Sequence, residues 1–444
     1  MGGPGGNNVV QIDLRRMSRI VEWDEKNRFV VLEPYVCCAQ VQAEAMRRGL
    51  NLHIIGAGSA TSPLASCTSH IGMGWTSIST GFSGRNIMGV EWVLPSGELL
   101  RLGTCGSSDK WFCADGPGPS LRGVMRGWAG ADGGLGIFTK CAVKLFHWPG
   151  PRETEVKGRF MDLDVEVPEN FRVVTCIFPD AESFANAACK IGEAEIGFMM
   201  CKVAIGLTLA GLTPRYLRRI GSLPNLRAVF EAFKHQFHFV IAGNSKGDFD
   251  YQNKTLERIV DENGGIIIDI SQIPLAKSIA YWDFVRAFSP PVIFRMGGNF
   301  FTAFGGDEAI NCTVEQARIG EEIKRRFIAK GAILDDLGDN AWGGIYEHNL
   351  FSHTEELTLF DHRDPSHSGQ VEDFAAACMN ATIEHNLGGG GFAFFAGAHV
   401  HETLGPVISN YHVWQRKIKK AFDPDDISDS HYYIHAEQKK DNRK

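Results

Sequence analysis

An α+β chain built in two lobes is what this 444-residue sequence predicts. Three observations carry that expectation. The length suits two domains or one large two-lobed body. Between residues 86 and 146, apolar strand-like runs are joined by Pro/Gly turns. Beyond residue 172, strand-like runs alternate with long amphipathic stretches in β-α-(Gly)-β passages, a change of hydrophobic period from about 2 to about 3.6.

Taken in order, residues 11–14 and 28–34 read as strand, turn, strand. Residues 38–49 read as a short amphipathic helix, with Val41, Ala45 and Met46 on one face and Gly49 as its stop. Residues 56–77 form a run of Gly, Ser, Thr and other small residues and read as a loop. A strand at 86–94, the turn Pro95-Ser96-Gly97 and a second strand at 98–102 make a hairpin. A short helix at 120–128 leads to Gly130, Gly133, Gly134 and Gly136, where backbone can approach something closely or adopt positive φ. A strand at 137–146 completes the unit.

The second lobe opens with a strand at 172–178 and a helix at 180–193 that Asp180 can cap. A strand at 237–243, a helix at 249–262, Gly264-Gly265 and a strand at 266–270 follow. The pattern repeats as a strand at 299–304, a helix at 314–330, Gly331 and a strand at 333–337. A helix at 371–386, a glycine turn at 388–391 and a last helix at 413–422 end the chain, before a charged tail from 438.

Composition narrows the function. A net charge of −7 disfavours nucleic acid or an anionic membrane as partner. The 11 cysteines are scattered without a CxxC pair, which suits a reducing compartment and argues against a cluster or zinc ribbon in this chain. No apolar run reaches membrane-spanning length, and the first residues lack the pattern of a secretory signal, so a cytoplasmic location is expected.

The order strand, turn, strand, then Gly130-Ala131-Asp132-Gly133-Gly134-Leu135-Gly136-Ile137, resembles the second flavin-binding subdomain of the vanillyl-alcohol oxidase / p-cresol methylhydroxylase (PCMH-type) superfamily. There a "GSEGxLGI" loop lies against FAD. The segment GPGPSLR at 116–122 is similar to the "GPGPxLR" lead-in of the glycolate/D-lactate dehydrogenase and alkyl-dihydroxyacetone-phosphate synthase branch. Residues 11–34 resemble the phrase that joins the two flavin subdomains, with Tyr35 where a Gly is usual. Residues 66–76 look like the "SxxxTIGGNxAT" flavin loop, with Met73 at the second Gly. Residues 418–430 resemble "iKxxfDPxxixNP", with Asp429-Ser430 for Asn-Pro.

The resemblance implies a PCMH-type FAD-binding domain at 1–150 whose first subdomain is truncated, and a ferredoxin-like α/β cap at 151–405 with a mixed sheet. Residues 406–444 would return to the FAD domain. On that reading the pyrophosphate site is incomplete here; either the sequence is a fragment or a separate chain supplies the rest. FAD would be held by Ser66, Thr68, Ile71, Gly72, Gly74 and Thr76, and by Gly133, Gly136 and Ile137. The implied activity is oxidation of a small hydroxy acid or alcohol by hydride transfer to flavin N5. Two alternatives stand beside it: an alkylglycerone-phosphate-synthase-like transferase, and an FAD-type subunit working with an iron–sulfur or other electron-acceptor subunit.

Such an oxidation needs a base for the hydroxyl proton, and histidine suits it. Glu347-His348-Asn349 is similar to the branch's "EHGIG" without its glycines, and His401-Glu402, with His399 two residues before, looks like a shifted version. The sequence leaves the two open, with the Glu347-His348 pair favouring His348 and the nearness of His401 to the C-terminal return to the FAD domain counting for His401. No metal is expected: His399 and His401 lack a third spaced ligand, and residues 295–301 lack the His and Asp of the branch's metal segment. Cys37, Cys67 and Cys105 read as inert thiols. Asp335, Asp336 and Asp339 read as a solvated turn.

Overall fold

The computed structural model describes residues 8–437 apart from 57, 70–71, 104–120, 126–130, 132, 159–162, 205–227, 229–230, 274–275, 288–298, 334, 337, 340–341, 361–362, 389–397 and 429–431. The expected sites Ile71 and Cys105, the residues Gly130 and Asp132, the ends of the helix expected at 120–128 and most of the stretch 295–301 therefore lie outside the described residues, while a one-turn helix spans Arg122–Met125 within that expected helix.

The first lobe is a five-stranded sheet. Its strands are β1 (Ile20–Asp24), β2 (Phe29–Leu32), β3 (Ile87–Val93), β4 (Leu99–Leu102) and β5 (Ile137–Lys144), in the order β1-β2-β5-β3-β4. Helix α1 (Cys38–Arg47) packs Val41, Ala45 and Met46 inward and stops before Gly49, whose φ of 72° favours glycine. The strand expected at 11–14 is absent. Val9, Val10 and Ile12 are exposed with no neighbouring strand, and the pairing partner of β2 is β1 instead.

The run at 56–77 is not wholly a loop. Ser62 accepts a hydrogen bond from the Ala65 amide and Pro63 fills the first turn, which starts the short helix α2 (Pro63–Thr68). A second one-turn helix, α3 (Ser77–Thr80), follows.

The second lobe is a seven-stranded sheet. Its elements are β6 (Phe171–Ile177), α4 (Ala181–Glu193), β7 (Met199–Val203), β8 (Gln236–Ala242), α5 (Lys246–Glu262), β9 (Ile266–Asp269), α6 (Lys277–Arg286), β10 (Asn299–Glu308), α7 (Ile310–Ala329), β11 (Trp342–Tyr346) and β12 (Phe351–Phe360). The strand order is β9-β6-β8-β7-β11-β12-β10. Every pairing recorded among the described residues is antiparallel, which corrects the expected mixed sheet. Asp180 caps α4 as expected, its Oδ1 accepting from the Ser183 amide at 2.7 Å.

The described part of 333–337 is not a strand. Asp336 is drawn inward to the buried ammonium of Lys324 and accepts from the Gly338 amide, which bends the chain away from extension. Asp336 is thus buried, not a member of a solvated turn. Asp339 pairs with Lys202 at 2.8 Å.

Strand alternation sorts the cap sheet into two faces. One face carries Phe237, Phe239, Ile241, Met200 and Ile345 and packs under α4 and α5. The inner face carries Phe171, Val173, Met199, Cys201, Val240, Tyr346 and Leu357, and meets Ile54, Met73, Trp75 and Trp148 of the first lobe in one apolar cluster. Helix α6 is wedged into that cluster through Tyr281, Phe284 and Val285.

The chain then runs through α8 (Pro365–His385), α9 (Ala398–Leu404) and α10 (Tyr411–Phe422). Val400 and Leu404 pack with α7 and α8, whereas Phe422, Tyr433 and Ile434 join the core of the first lobe. No described helix is long and apolar enough to cross a membrane.

Candidate functional site

Two groups of residues meet in the first lobe. One is built on His53. Its Nε2 donates to the Gly72 carbonyl at 2.9 Å, and its Nδ1 faces the Thr80 hydroxyl at 2.8 Å. Burial pushes its pKa down to about 4, so the ring is a neutral structural link. The Ile54 amide donates to Thr76 Oγ1, and the Gly74 amide donates to Ser77 Oγ. A Cβ at Gly72 would lie 1.9 Å from Ser83 Oγ, and one at Gly74 would lie 2.0 Å from the Ile54 carbonyl. Both positions need glycine for the protein's own packing.

Glu347 and His348 join this group. They sit in the turn between β11 and β12, where Glu347, His348 and Asn349 all have positive φ. Their amides donate to the Ser77 and Ile78 carbonyls of α3 at 3.0 and 2.8 Å. The Glu347 carboxylate takes Arg85 at 2.8 Å, and the His348 carbonyl packs on Gly192 of α4. The pair therefore clamps the cap onto the first lobe. Beside it a cleft of about 660 Å³ is lined by Ser79, Thr80, Phe82, Arg85, Lys144, Phe146 and Glu347.

The second group is built on the turn at 131–136. The Ala131 amide donates to the Thr68 carbonyl at 3.2 Å, which brings the end of α2 to this turn. Thr68 Oγ1 itself is spent on the Leu64 carbonyl, and Ser66 lies against Gly72. Gly133 and Gly136 have φ of 77° and 115°. A Cβ at Gly136 would fall 2.4 Å from the Val93 carbonyl, so this glycine too is demanded by packing, just where Ile137 starts β5. The Leu135 carbonyl accepts from Trp92 Nε1 at 2.9 Å, and the Gly134 carbonyl from Lys419 Nζ at 2.7 Å. The Tyr433 side chain packs against Gly134, where an added Cβ would lie 2.3 Å from the tyrosine Cβ.

His401 belongs to this second group. Its Nε2 donates to the Tyr432 carbonyl at 3.1 Å, and its ring lies 6.3 Å from that of Tyr433. His399 stands exposed on the same helix. The two histidine stretches are thus separated: His348 goes to Gly72, Gly74 and Thr76, and His401 to Thr68, Gly133 and Gly136. Helix α2 joins the groups, since Cys67 Sγ donates to the Ser83 carbonyl at 3.0 Å. Burial raises the Cys67 thiol well above its ordinary range, as an inert thiol requires.

Lys419 and Trp92 were not singled out in the sequence. A lysine four residues before Asp423-Pro424 is part of the matched closing phrase, but nothing in the pattern says its ammonium is buried against a glycine turn. A second cavity, of about 320 Å³, lies between α4 and α7 on the outer face of the cap sheet. Its cations are committed within the cap, Lys202 to Asp339 and Lys234 to Glu321.

The residues present fit a dinucleotide flavin. Arg85 and Lys144 bring two cations to the cleft, Phe82 and Phe146 two phenyl rings and Glu347 a carboxylate that holds Arg85, while the Ser79 and Thr80 hydroxyls donate to the Thr76 carbonyl. The cations and rings suit an anionic ligand that carries flat rings. The buried amides of Leu135 and Gly136 have no hydrogen-bond acceptor among the described residues, so the turn still has donors to offer.

Residues 1–103 match the model of the FAD binding domain. The chain is 29% identical over 163 residues to 1'-carboxy-chondrochloren decarboxylase of Chondromyces crocatus, covering 34% of this chain and 27% of that protein. It is 27% identical over 153 residues to an uncharacterized FAD-linked oxidoreductase of Mycobacterium tuberculosis, covering 34% of this chain and 31% of that one. The matched part thus spans about a third or less of either relative. The fold is similar over nearly the whole chain to p-cresol methylhydroxylase with substrate bound, with a TM-score of 0.72 at 16% identity, covering 97% of this chain and 80% of that one.

Proposed function

From the FAD binding domain matched over residues 1–103 and the fold similar to p-cresol methylhydroxylase, we propose a PCMH-type FAD-dependent oxidoreductase that oxidises a small alcohol, hydroxy acid or alkylphenol, with an aromatic substrate preferred. One observation carries the reading: a glycine turn with unused buried amides, the end of α2, and His401 converge through Tyr432 and Tyr433. FAD, when bound, supplies the acceptor for a hydride equivalent; everything else falls to the chain.

His401 is the proton acceptor in this reading. Its Nε2 donates to the Tyr432 carbonyl, which fixes the orientation of the ring. His348 has a different task. Its backbone is locked to α3 and its carbonyl to α4, so it holds the cap in place. Gly133 and Gly136 shape the turn that faces the cofactor, and Arg85 and Lys144 offer cationic groups to its phosphates.

The preference for an aromatic substrate rests on the aromatic character of the region where the inner face of the cap sheet, α6 and the first lobe meet. Trp75 and Phe284 lie 5.6 Å apart there, Phe171 and Tyr281 5.5 Å, and Tyr346 and Phe351 5.1 Å. The carboxylate of a hydroxy acid would call for an arginine or lysine on that face. The strands present His238 and His353 instead, with Glu355 beside the latter. The substrate named for the similar p-cresol methylhydroxylase structure is of the same aromatic kind.

Rapid mixing of FAD-loaded enzyme with substrate under anaerobic conditions tests the assignment. His401→Gln is expected to slow flavin reduction by about 10²–10⁴-fold, the usual worth of a general base. His348→Gln is expected to leave the rate within a few fold. Equal rates for both variants and wild type would remove His401 from the mechanism.

A further inference from the structure

Lys419 is completely buried and its ammonium is divided between carboxylates and backbone carbonyls, with Asp426 Oδ1 3.4 Å away. It donates to Asp423 Oδ2 at 2.6 Å, to the Ser428 carbonyl at 3.2 Å and, across the molecule, to the Gly134 carbonyl at 2.7 Å. Asp423 does not need the lysine to end its helix, because it also accepts from the Ile427 and Ser428 amides at 3.0 and 2.8 Å. The Gly134 carbonyl is the partner that a helix-end cluster does not explain. The next carbonyl along, that of Leu135, is held by Trp92 Nε1, while the Trp92 ring stacks on Phe422 at 5.2 Å and 7°.

In a trans peptide the carbonyl and the following amide point in opposite directions. No cis peptide is present among the described residues. Drawing the Gly134 carbonyl toward Lys419 therefore turns the Leu135 amide away from it. Drawing the Leu135 carbonyl toward Trp92 turns the Gly136 amide away from the indole. These are the two buried amides that have no acceptor among the described residues. Buried amides are rarely left unsatisfied, so two in succession at a turn held from behind indicate a ligand on the open side.

We propose that Lys419 and Trp92 are positioning residues that grip two successive carbonyls of the 131–136 turn and so aim the Leu135 and Gly136 amides at an acceptor atom of the bound flavin. The proposal rests on the flavin reading above and adds to it the residues that set the turn. Neither side chain touches the cofactor. Their effect passes through the backbone, and α10 thereby couples the C-terminal segment to cofactor binding.

The test uses the full chain and FAD itself, with Lys419→Met, Lys419→Arg and Trp92→Phe. The last keeps a ring against Phe422 and removes only the indole donor, so it remains informative if Lys419→Met fails to fold. FAD affinity is read by quenching of flavin fluorescence, folding by circular dichroism, and the turn by hydrogen exchange of the peptide spanning 133–137. Expected are protection of the Leu135 and Gly136 amides by FAD in wild type, and a loss of affinity of at least tenfold in Lys419→Met and several-fold in Trp92→Phe. Lys419→Arg should recover part of the loss, and the far-ultraviolet spectra should remain unchanged. Tight FAD binding without protection of these two amides, or unchanged affinity in both Trp92→Phe and Lys419→Met, overturns the inference and leaves the flavin reading standing. A wild-type chain that does not bind FAD removes the flavin reading and this inference with it.

Discussion

Lys324 and Lys419 are both wholly withdrawn from water, yet they are put to different uses. Lys324, on α7, sits among Asp336, Glu356 and the Leu357 carbonyl, with every partner inside the cap. Two buried carboxylates share its one charge. Lys419, on α10, has one buried carboxylate, Asp423, with the half-buried Asp426 at 3.4 Å, and spends a proton on a glycine turn distant in sequence. The first closes a charge cluster that fastens a helix to a sheet; the second joins distant segments. A buried cation thus marks either a locally closed network or a long-range tether, and the location of its backbone partner tells which.

That difference can be broken at either lysine. Lys324→Met leaves two buried carboxylates without their cation, and the expected cost is about 3–5 kcal/mol, read by urea denaturation. Pairing it with Glu356→Gln should recover a large part of that loss. Lys419→Met should cost less, about 1–3 kcal/mol, because Asp423 keeps two backbone donors. Equal costs would mean that the two networks are not of different kinds.

The pH dependence sharpens the contrast. Burial, with a second carboxylate beside it, pushes Glu356 up to about 8 from 4.5. The folded cap then keeps a proton that the unfolded chain has released between those values. Stability from this group is full below pH 4.5 and is lost as pH rises through 8, a swing on the order of a few kcal/mol. His53 and His238, both held near 4 by burial, act in the opposite sense. Their contribution is present above pH 6.5 and lost as pH falls through 4. Between pH 6.5 and 8 Glu356 sets the slope within this group, so a denaturation series should show stability falling there in wild type and flat in Glu356→Gln.

The smallest effect is expected at the exposed clamp between the lobes. Arg85 is 46% exposed on its side chain, so its pair with Glu347 is screened. Glu347→Gln should change stability by no more than about 1 kcal/mol, measured by thermal denaturation.

Much of the fold was legible because its signals are local. The helix at Ala181–Glu193 was marked by its Asp180 cap, and β3, β4 and β5 by apolar runs around a Pro/Gly turn. The misreadings arise where tertiary contacts decide. Residues 333–337 are apolar enough for a strand, but the Lys324 ammonium draws Asp336 inward. Residues 11–14 alternate like a strand, but no strand among the described residues pairs with them. At the candidate site, the glycines at 72, 74 and 136 could be picked out by type and spacing, but not that each is required by a neighbouring protein atom. The separation of His348 from His401 depends on which lobe each turn docks against, and one-dimensional spacing does not encode that.

The most direct test of the oxidoreductase account is the visible spectrum of the chain loaded with FAD, recorded before and after anaerobic addition of small aromatic alcohols, alkylphenols and hydroxy acids. A yellow band that bleaches with an aromatic alcohol or alkylphenol is the predicted result. A bound flavin that stays oxidised with every member of that panel would contradict it.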